Sequence, residues 1–376
     1  MKEVMGIIHH LKNEKKYEEI TQGRCVAAIP YGGKYRLVDF PLSNMVNSGI
    51  VNIGVITSLN LRALVDHLGK GEEWGLDKKK GGLFFLPTAI SESNRDKRRL
   101  DLEDIYVNLD YLHKSVEEYV LISGSDIVCN IDLSKVIAYH KEKKADITMV
   151  CKEGYKFSDK DIEQGVYLEK LTSGRVSAIS LGVPQVGMVV SMDIYIMKKS
   201  LLFSLLQDCS IKGRWDLVSD VLLSNLKELK IFGYAYEGYV AIVNSLQSLY
   251  RHQMDLLKPE ILQDLLFSKE MIHTKLKDGP PTRYCGGSNV KNSLIANGCQ
   301  IEGSVEDSIL FRKVRIGRGA VIRNSILMPK VEIGEDVVLD KVILDKGVCV
   351  KKGTKLLSDS EYPIVIEKNK VIGGEV

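Results

Sequence analysis

The stretch VLISGSDIVCNID, residues 120–132, runs an apolar segment into a loop at Asp126. An aspartate at the carboxyl end of a strand is a hard-oxygen ligand in the place where open α/β sheets bind their substrates, so magnesium-assisted chemistry is the first reading to weigh. Other candidate ligands are weaker. His9 and His10 follow the first apolar run, VMGII, but neighbours on a strand point apart and no third ligand accompanies them, so no metal is expected there. The seven cysteines, Cys25, Cys129, Cys151, Cys209, Cys285, Cys299 and Cys349, are odd in number and lack any CxxC spacing. That argues against a disulfide framework and a zinc site, and for a reducing cytoplasm.

These residues need a scaffold, and 376 residues suffice for two domains with a large core. Hydrophobic content of 44% and charged content of 27% are those of an ordinary globular protein. No apolar run approaches a membrane span, and the N-terminal apolar run is too short for a signal peptide, so neither membrane insertion nor export is expected. A net charge of +3 is too small for a nucleic-acid binder. KKK at 78–80 and RDKRR at 95–99 read as solvated loops, the latter bordering the cleft of the sheet.

The first half alternates strands with helices. VNIGVIT (51–57) is β-branched, and NLRALVDHL (60–68) has helical spacing before Gly69. DLEDIYVNLDYLHKS (101–115) reads as a helix, EYVLIS (118–123) as a buried strand, LSKVIAYHKEKKAD as a helix and ITMVC (147–151) as a strand. GVYLEK, RVSAISL and VSMDIYIM add strands; LLFSLLQD, DLVSDVLLSNLKEL and SLQSLYRHQMDLL add helices. The pattern predicts a doubly wound, mostly parallel sheet over 1–277, with a helical linker from about residue 245.

After DGPPTRYCGG (278–287) helical periodicity stops. VRIGRGAVIRNSILM (314–328) and VEIGEDVVLDKVILD (331–345) superpose at an offset of 17, and Ser308-Ile309-Leu310 fits one coil earlier. Such imperfect hexapeptide steps, three to a coil, predict a left-handed parallel β-helix over 278–376.

An α/β sheet followed by a β-helix, with YGGKYRLVDFPLSNMVNSGI at 31–50, resembles the sugar-1-phosphate nucleotidyltransferases, specifically the glucose-1-phosphate adenylyltransferases of bacterial glycogen synthesis. The resemblance covers nearly the whole chain and implies a Rossmann-like nucleotidyltransferase domain. In that family glucose 1-phosphate attacks the α-phosphate of ATP beside a magnesium ion held by two aspartates. The chain departs from the family at each charge-handling position. The glycine-rich phosphate turn is replaced by His9-His10-Leu11-Lys12-Asn13, and the lysine and proline before GGKYR by Val26 and Ala27. Leu100-Asp101-Leu102 stand for the adenine-side G-T-A turn, and Val183 for the lysine that holds the sugar phosphate. Ser125 takes the place of the first metal aspartate, with Asp126 where a histidine stood, and Ile242 takes the place of the second. Alternation along the strand predicts that Asp126 aims away from the metal position. Each lost electrostatic contact costs about 10²- to 10³-fold in rate, so the resemblance implies a silenced site, as in the family's non-catalytic D-type regulatory subunit.

The resemblance further implies an effector site for a phosphorylated metabolite or nucleotide, lined by Arg24, Arg36, Lys346 and Lys368, with Pro30 where a histidine is expected. It implies a catalytic partner subunit in a heterotetramer, with Mg²⁺ held by that partner and no cofactor in this chain. The competing reading is an active nucleotidyltransferase in which Asp126 takes the metal. A β-helix acyltransferase is disfavoured because no histidine follows His273.

Overall fold

The computed structural model describes residues 3–9, 17–57, 60–78, 81–89, 100–157, 161–267 and 270–373. The basic run 95–99, Lys79, Lys80 and the segment 10–16 lie outside the described residues.

One mixed sheet is built from β1 (Val4–His9), β2 (Asn52–Thr57), β3 (Gly82–Pro87), β4 (Tyr119–Gly124), β5 (Ile147–Lys152), β6 (Val166–Lys170), β7 (Val176–Leu181), β8 (Val189–Lys198) and β9 (Ile231–Ala235). Strands β1, β2 and β4 are buried along their whole length, which is why they read as unbroken apolar runs. The order β3-β2-β1-β4 is parallel. The ten-residue β8 then runs antiparallel to β4, β5 and β6, so the later strands form the mixed half of the sheet. Two helix expectations shift. The segment 101–115 forms two short helices, Leu102–Tyr106 and Leu109–Lys114, because Asn108 Nδ2 donates to Asp104 O at 2.7 Å and to Pro87 O at 2.8 Å and breaks the run. The segment after Asp216 is a π-helical turn, Leu217–Leu222, capped by the Asp216 carboxylate on the Val218 and Ser219 amides.

From Arg283–Tyr284 to Val371–Ile372 the chain winds through three parallel sheets, consistent with a left-handed β-helix. The 17-residue offset is the observed register: Ile316 pairs with Ile333, Ile326 with Ile343 and Leu327 with Leu344. Corner residues such as Lys313, Asn324 and Lys330 take left-handed φ of 61°, 47° and 64°, as the tight turns between short strands demand. A serine ladder locks successive coils. Ser308 Oγ accepts the Ser325 amide at 3.1 Å, and Ser325 Oγ accepts the Val342 amide at 3.2 Å, while each hydroxyl donates to a carbonyl two residues back. Ser325→Ala is expected to cost about 1–3 kcal/mol in urea unfolding, because the Val342 N–H would be left buried without an acceptor. An unchanged midpoint would show that the ladder adds nothing.

The two parts share a core. Tyr17, Ile20, Val26, Ile29 and Phe40 pack with Ile309, Phe311, Ile326 and Met328 of the coils. The helix Leu246–Asp255, started by a Ser245–Ser248 capping box, fastens onto the GGKYR turn: Gln253 Oε1 accepts the Gly32 amide at 3.2 Å and Tyr31 Oη donates to His252 O at 2.8 Å.

Candidate functional site

A cavity of about 310 Å³ opens between the α/β part and the β-helix. Arg24, Arg36, Lys346 and Lys368, far apart in the chain, all line it, as does Pro30. The fold adds further cations that sequence reading missed. Lys313 and Lys330 come from successive coils, and Lys34, Lys275, Lys277 and Arg312 close the remaining wall. Lys313 and Lys330 had a signal, since they share one phase of the 17-residue repeat; the others meet only through the tertiary fold.

Crowding of like charge is visible in their acidities. Lys346 is held below the ordinary lysine value by burial first, then by Lys368, Lys330, Arg24 and Arg36. Lys277 is lowered by burial and by Arg36 and Arg312, and Arg36 by burial and by Arg24. Arg24 differs from the others. Its Nη2 reaches both oxygens of Asp345, at 2.8 and 2.9 Å, and both residues are buried, so its charge is already balanced. Arg36 donates from Nη1 to Ala63 O at 2.8 Å, which fixes the guanidinium at the wall. The remaining cations give the cavity a strongly positive lining.

The second site lies at the end of β4. The strand stops at Gly124, and Ser125–Asp126 turn into Ile127–Cys129, which pairs antiparallel with Val240–Ile242. Ile242 sits opposite Ile127, and the Val243 amide donates to Asp126 O at 3.0 Å, so the segments that carry residues 125 and 242 run side by side. Because this is a turn, strand alternation does not hold, and Asp126 stays at the strand end. A Cβ on Gly124 would lie 2.7 Å from Asp126 Oδ1 and 3.0 Å from Asp193 Oδ2. His9 Nε2 is 2.9 Å from that Asp193 oxygen. Tyr17 is buried beside this turn and donates to Val243 O at 2.5 Å; burial, then Asp126 and Asp161, push its phenol well above the ordinary value.

Two family models match: Nucleotidyl transferase over residues 15–161, and GlmU-like, C-terminal hexapeptide over residues 282–362. The chain is 37% identical to the glycogen biosynthesis protein GlgD of Bacillus subtilis over 99% of its own length and 97% of that protein. It is 36% identical to GlgD of Geobacillus stearothermophilus, over 85% and 82% of the two chains. To the glucose-1-phosphate adenylyltransferase of Halalkalibacterium halodurans it is 33% identical, over 98% and 97%. The chain belongs to the glucose-1-phosphate adenylyltransferase family.

The positions at which the family resemblance sets charged groups have a structural form in this chain. Val26 and Ala27 are buried in a 3₁₀ turn, at 0% and 1% exposure, where a phosphate-facing lysine could not sit without rebuilding the core. Leu100 and Leu102 are buried, and their backbones are tied to Leu217 and Trp215. Ile242 packs in the core with Ile127 and Met192 and against Tyr155. Val183 is 69% exposed in the turn after β7, where it has no charge to offer a phosphate. Held where the resemblance implies, the family's magnesium ion would require hard oxygens at positions 125 and 242. Position 242 supplies none, the Ser125 hydroxyl is buried without a hydrogen-bond partner, and among the described residues no group of three His, Cys, Asp or Glu side chains has metal-holding geometry. A buried hydroxyl at 125 and an isoleucine at 242 do not fit the ion. Among the described residues, no helix is long and apolar enough to cross a membrane.

Proposed function

We propose that the chain is a regulatory, catalytically silent subunit of glucose-1-phosphate adenylyltransferase, working in the cytoplasm in bacterial glycogen synthesis. It assembles with a catalytic subunit, which holds Mg²⁺, into a heterotetramer and changes that partner's activity or effector response. The carrying observation is that the residues standing at several of the family's charge-handling positions lie in packed core: Val26, Ala27, Leu100, Leu102 and Ile242 are all buried. A core valine or isoleucine is not a vacancy that a small movement refills. The retained feature is the basic cavity, which supports a phosphorylated metabolite or nucleotide as effector, held by Arg36, Lys346 and Lys368 with Arg24 as their buttress.

The other reading, an active enzyme that uses Asp126, draws on the nearness of the Asp126 and Asp193 carboxylates at Gly124. Both are tested by assaying ADP-glucose formation with the chain alone and then with a catalytic subunit added. No turnover alone and a changed rate in the mixture are expected. Turnover by the chain alone near the ordinary range of about 1–10³ s⁻¹ would establish the active reading instead.

A further inference from the structure

The order of the parallel strands fixes where the sheet keeps its crevice. The chain runs outward from β1 through β2 to β3 and then returns to β4 on the other side of β1, and open α/β sheets bind ligands at the carboxyl ends of two such strands. His9 ends β1 and Gly124 ends β4, and the two are register partners. A third residue reaches them from the neighbouring antiparallel strand. Asp193 lies in β8 at φ 54°, a left-handed conformation that few side chains adopt, where the pairing of β8 with β5 shifts register between Ser191 and Tyr195. A bulge of this kind re-aims a side chain. The Asp193 amide donates to Ser191 Oγ at 3.4 Å, and its Oδ2 comes to 2.9 Å from His9 Nε2. Gly124 makes the room: a Cβ there would stand 3.0 Å from Asp193 Oδ2 and 2.7 Å from Asp126 Oδ1. The His9 side chain is 4% exposed and that of Asp193 21%, so the imidazole is covered and the carboxylate is the member that reaches solvent.

We propose that Asp193 is a built-in occupant of this crevice: its carboxylate holds the place beside His9 that an oxyanion of a phosphorylated ligand would take, which closes the crevice to such ligands from within. This rests on the reading of a silent subunit and deepens it, because the crevice is then blocked for binding as well as stripped for catalysis. A carboxylate and a phosphate present the same kind of group to an imidazole, negatively charged oxygens that accept hydrogen bonds. Two of them do not share one contact, since like charges at close range repel strongly where water is excluded. A glycine would take φ 54° without strain, so what an aspartate contributes at this position is its carboxylate and not its backbone.

Asp193→Gly supplies the test, since glycine suits the bulge and removes the carboxylate. Formate and inorganic phosphate are the probes, and binding to the full chain is read on the His9 imidazole resonances, assigned with His9→Gln, so that anions held in the basic cavity do not count. In the unmodified chain neither probe is expected to move His9. In Asp193→Gly, formate should fill the hole and bind at His9 at least about tenfold more tightly than in the unmodified chain, and phosphate should move the same ring. Asp193→Asn is the matched control, because it tolerates the left-handed backbone, fills the hole and should not respond to formate. If Asp193→Gly does not fold alone, formate is expected to restore its folding, and failure to do so overturns the proposal. Movement of His9 by phosphate in the unmodified chain, no response in folded Asp193→Gly, or an equal response in Asp193→Asn each overturns the role of Asp193 and leaves the silent subunit standing. ADP-glucose formation by the unmodified chain overturns both.

Discussion

Replacing Arg24 by methionine is expected to destabilise the folded chain by about 3–5 kcal/mol, read as a lower midpoint in urea unfolding. Arg24 comes from the α/β part and Asp345 from the β-helix, and Asp345 is 1% exposed. Removing the guanidinium leaves a carboxylate in the shared core with, among the described residues, only the Lys346 amide, at 2.6 Å, to satisfy it. The loss exceeds that of an exposed ion pair because the stranded charge, rather than the missing attraction, sets the energy. Arg24→Met combined with Asp345→Asn should recover much of the stability, since no buried charge remains. A single variant with the wild-type midpoint would falsify the buried pair as a structural bridge.

The second large effect is electrostatic. At low ionic strength, inorganic phosphate at a hundredfold its Kd is expected to stabilise the chain by about 2.7 kcal/mol in thermal or urea unfolding. The gain should shrink with added chloride salt, because these lysines are partly open to solvent. Lys346→Ala with Lys368→Ala should weaken phosphate binding by at least about tenfold, a charge-assisted contact being discounted for that exposure. Without anion the same double variant should be no less stable than wild type, since it relieves crowding among like charges. The pH dependence has a definite sign. Lys346, Lys277 and Lys34 are lowered in the fold, mainly by burial, so the unfolded chain binds more protons between their folded values and the ordinary lysine pKa. Their cost to stability is fully present below the folded values and is relieved as pH rises toward about 10.4. Phosphate should flatten that rise. A free chain whose stability falls over the same alkaline window, with no response to phosphate, would argue against a crowded anion cavity.

Much of the architecture is legible in local patterns. VMGII, NIGVIT and EYVLIS are continuous apolar runs because both faces of β1, β2 and β4 are covered, and the 17-residue offset is the strand register of the coils. The antiparallel placement of β8 is not legible, since a strand's apolar content does not encode its direction. Nor is the break at Asn108, whose side chain competes for backbone carbonyls within an otherwise helical pattern. Arg24 is legible as a cation, but its engagement by Asp345, 321 residues away, is not.

The sequence by itself determined the two-part architecture, because residue type and short-range period carry that information, while it is the family resemblance that sets Ser125, Val183 and Ile242 against charged groups. Only the tertiary structure decided what those replacements became. It buried Ile242 against Ile127, turned Asp126 back beside Gly124 and Asp193, and set His67 on Asp39 at the edge of a basic cavity. These outcomes depend on burial and on charges brought together across hundreds of residues, and neither has a local signature in the chain.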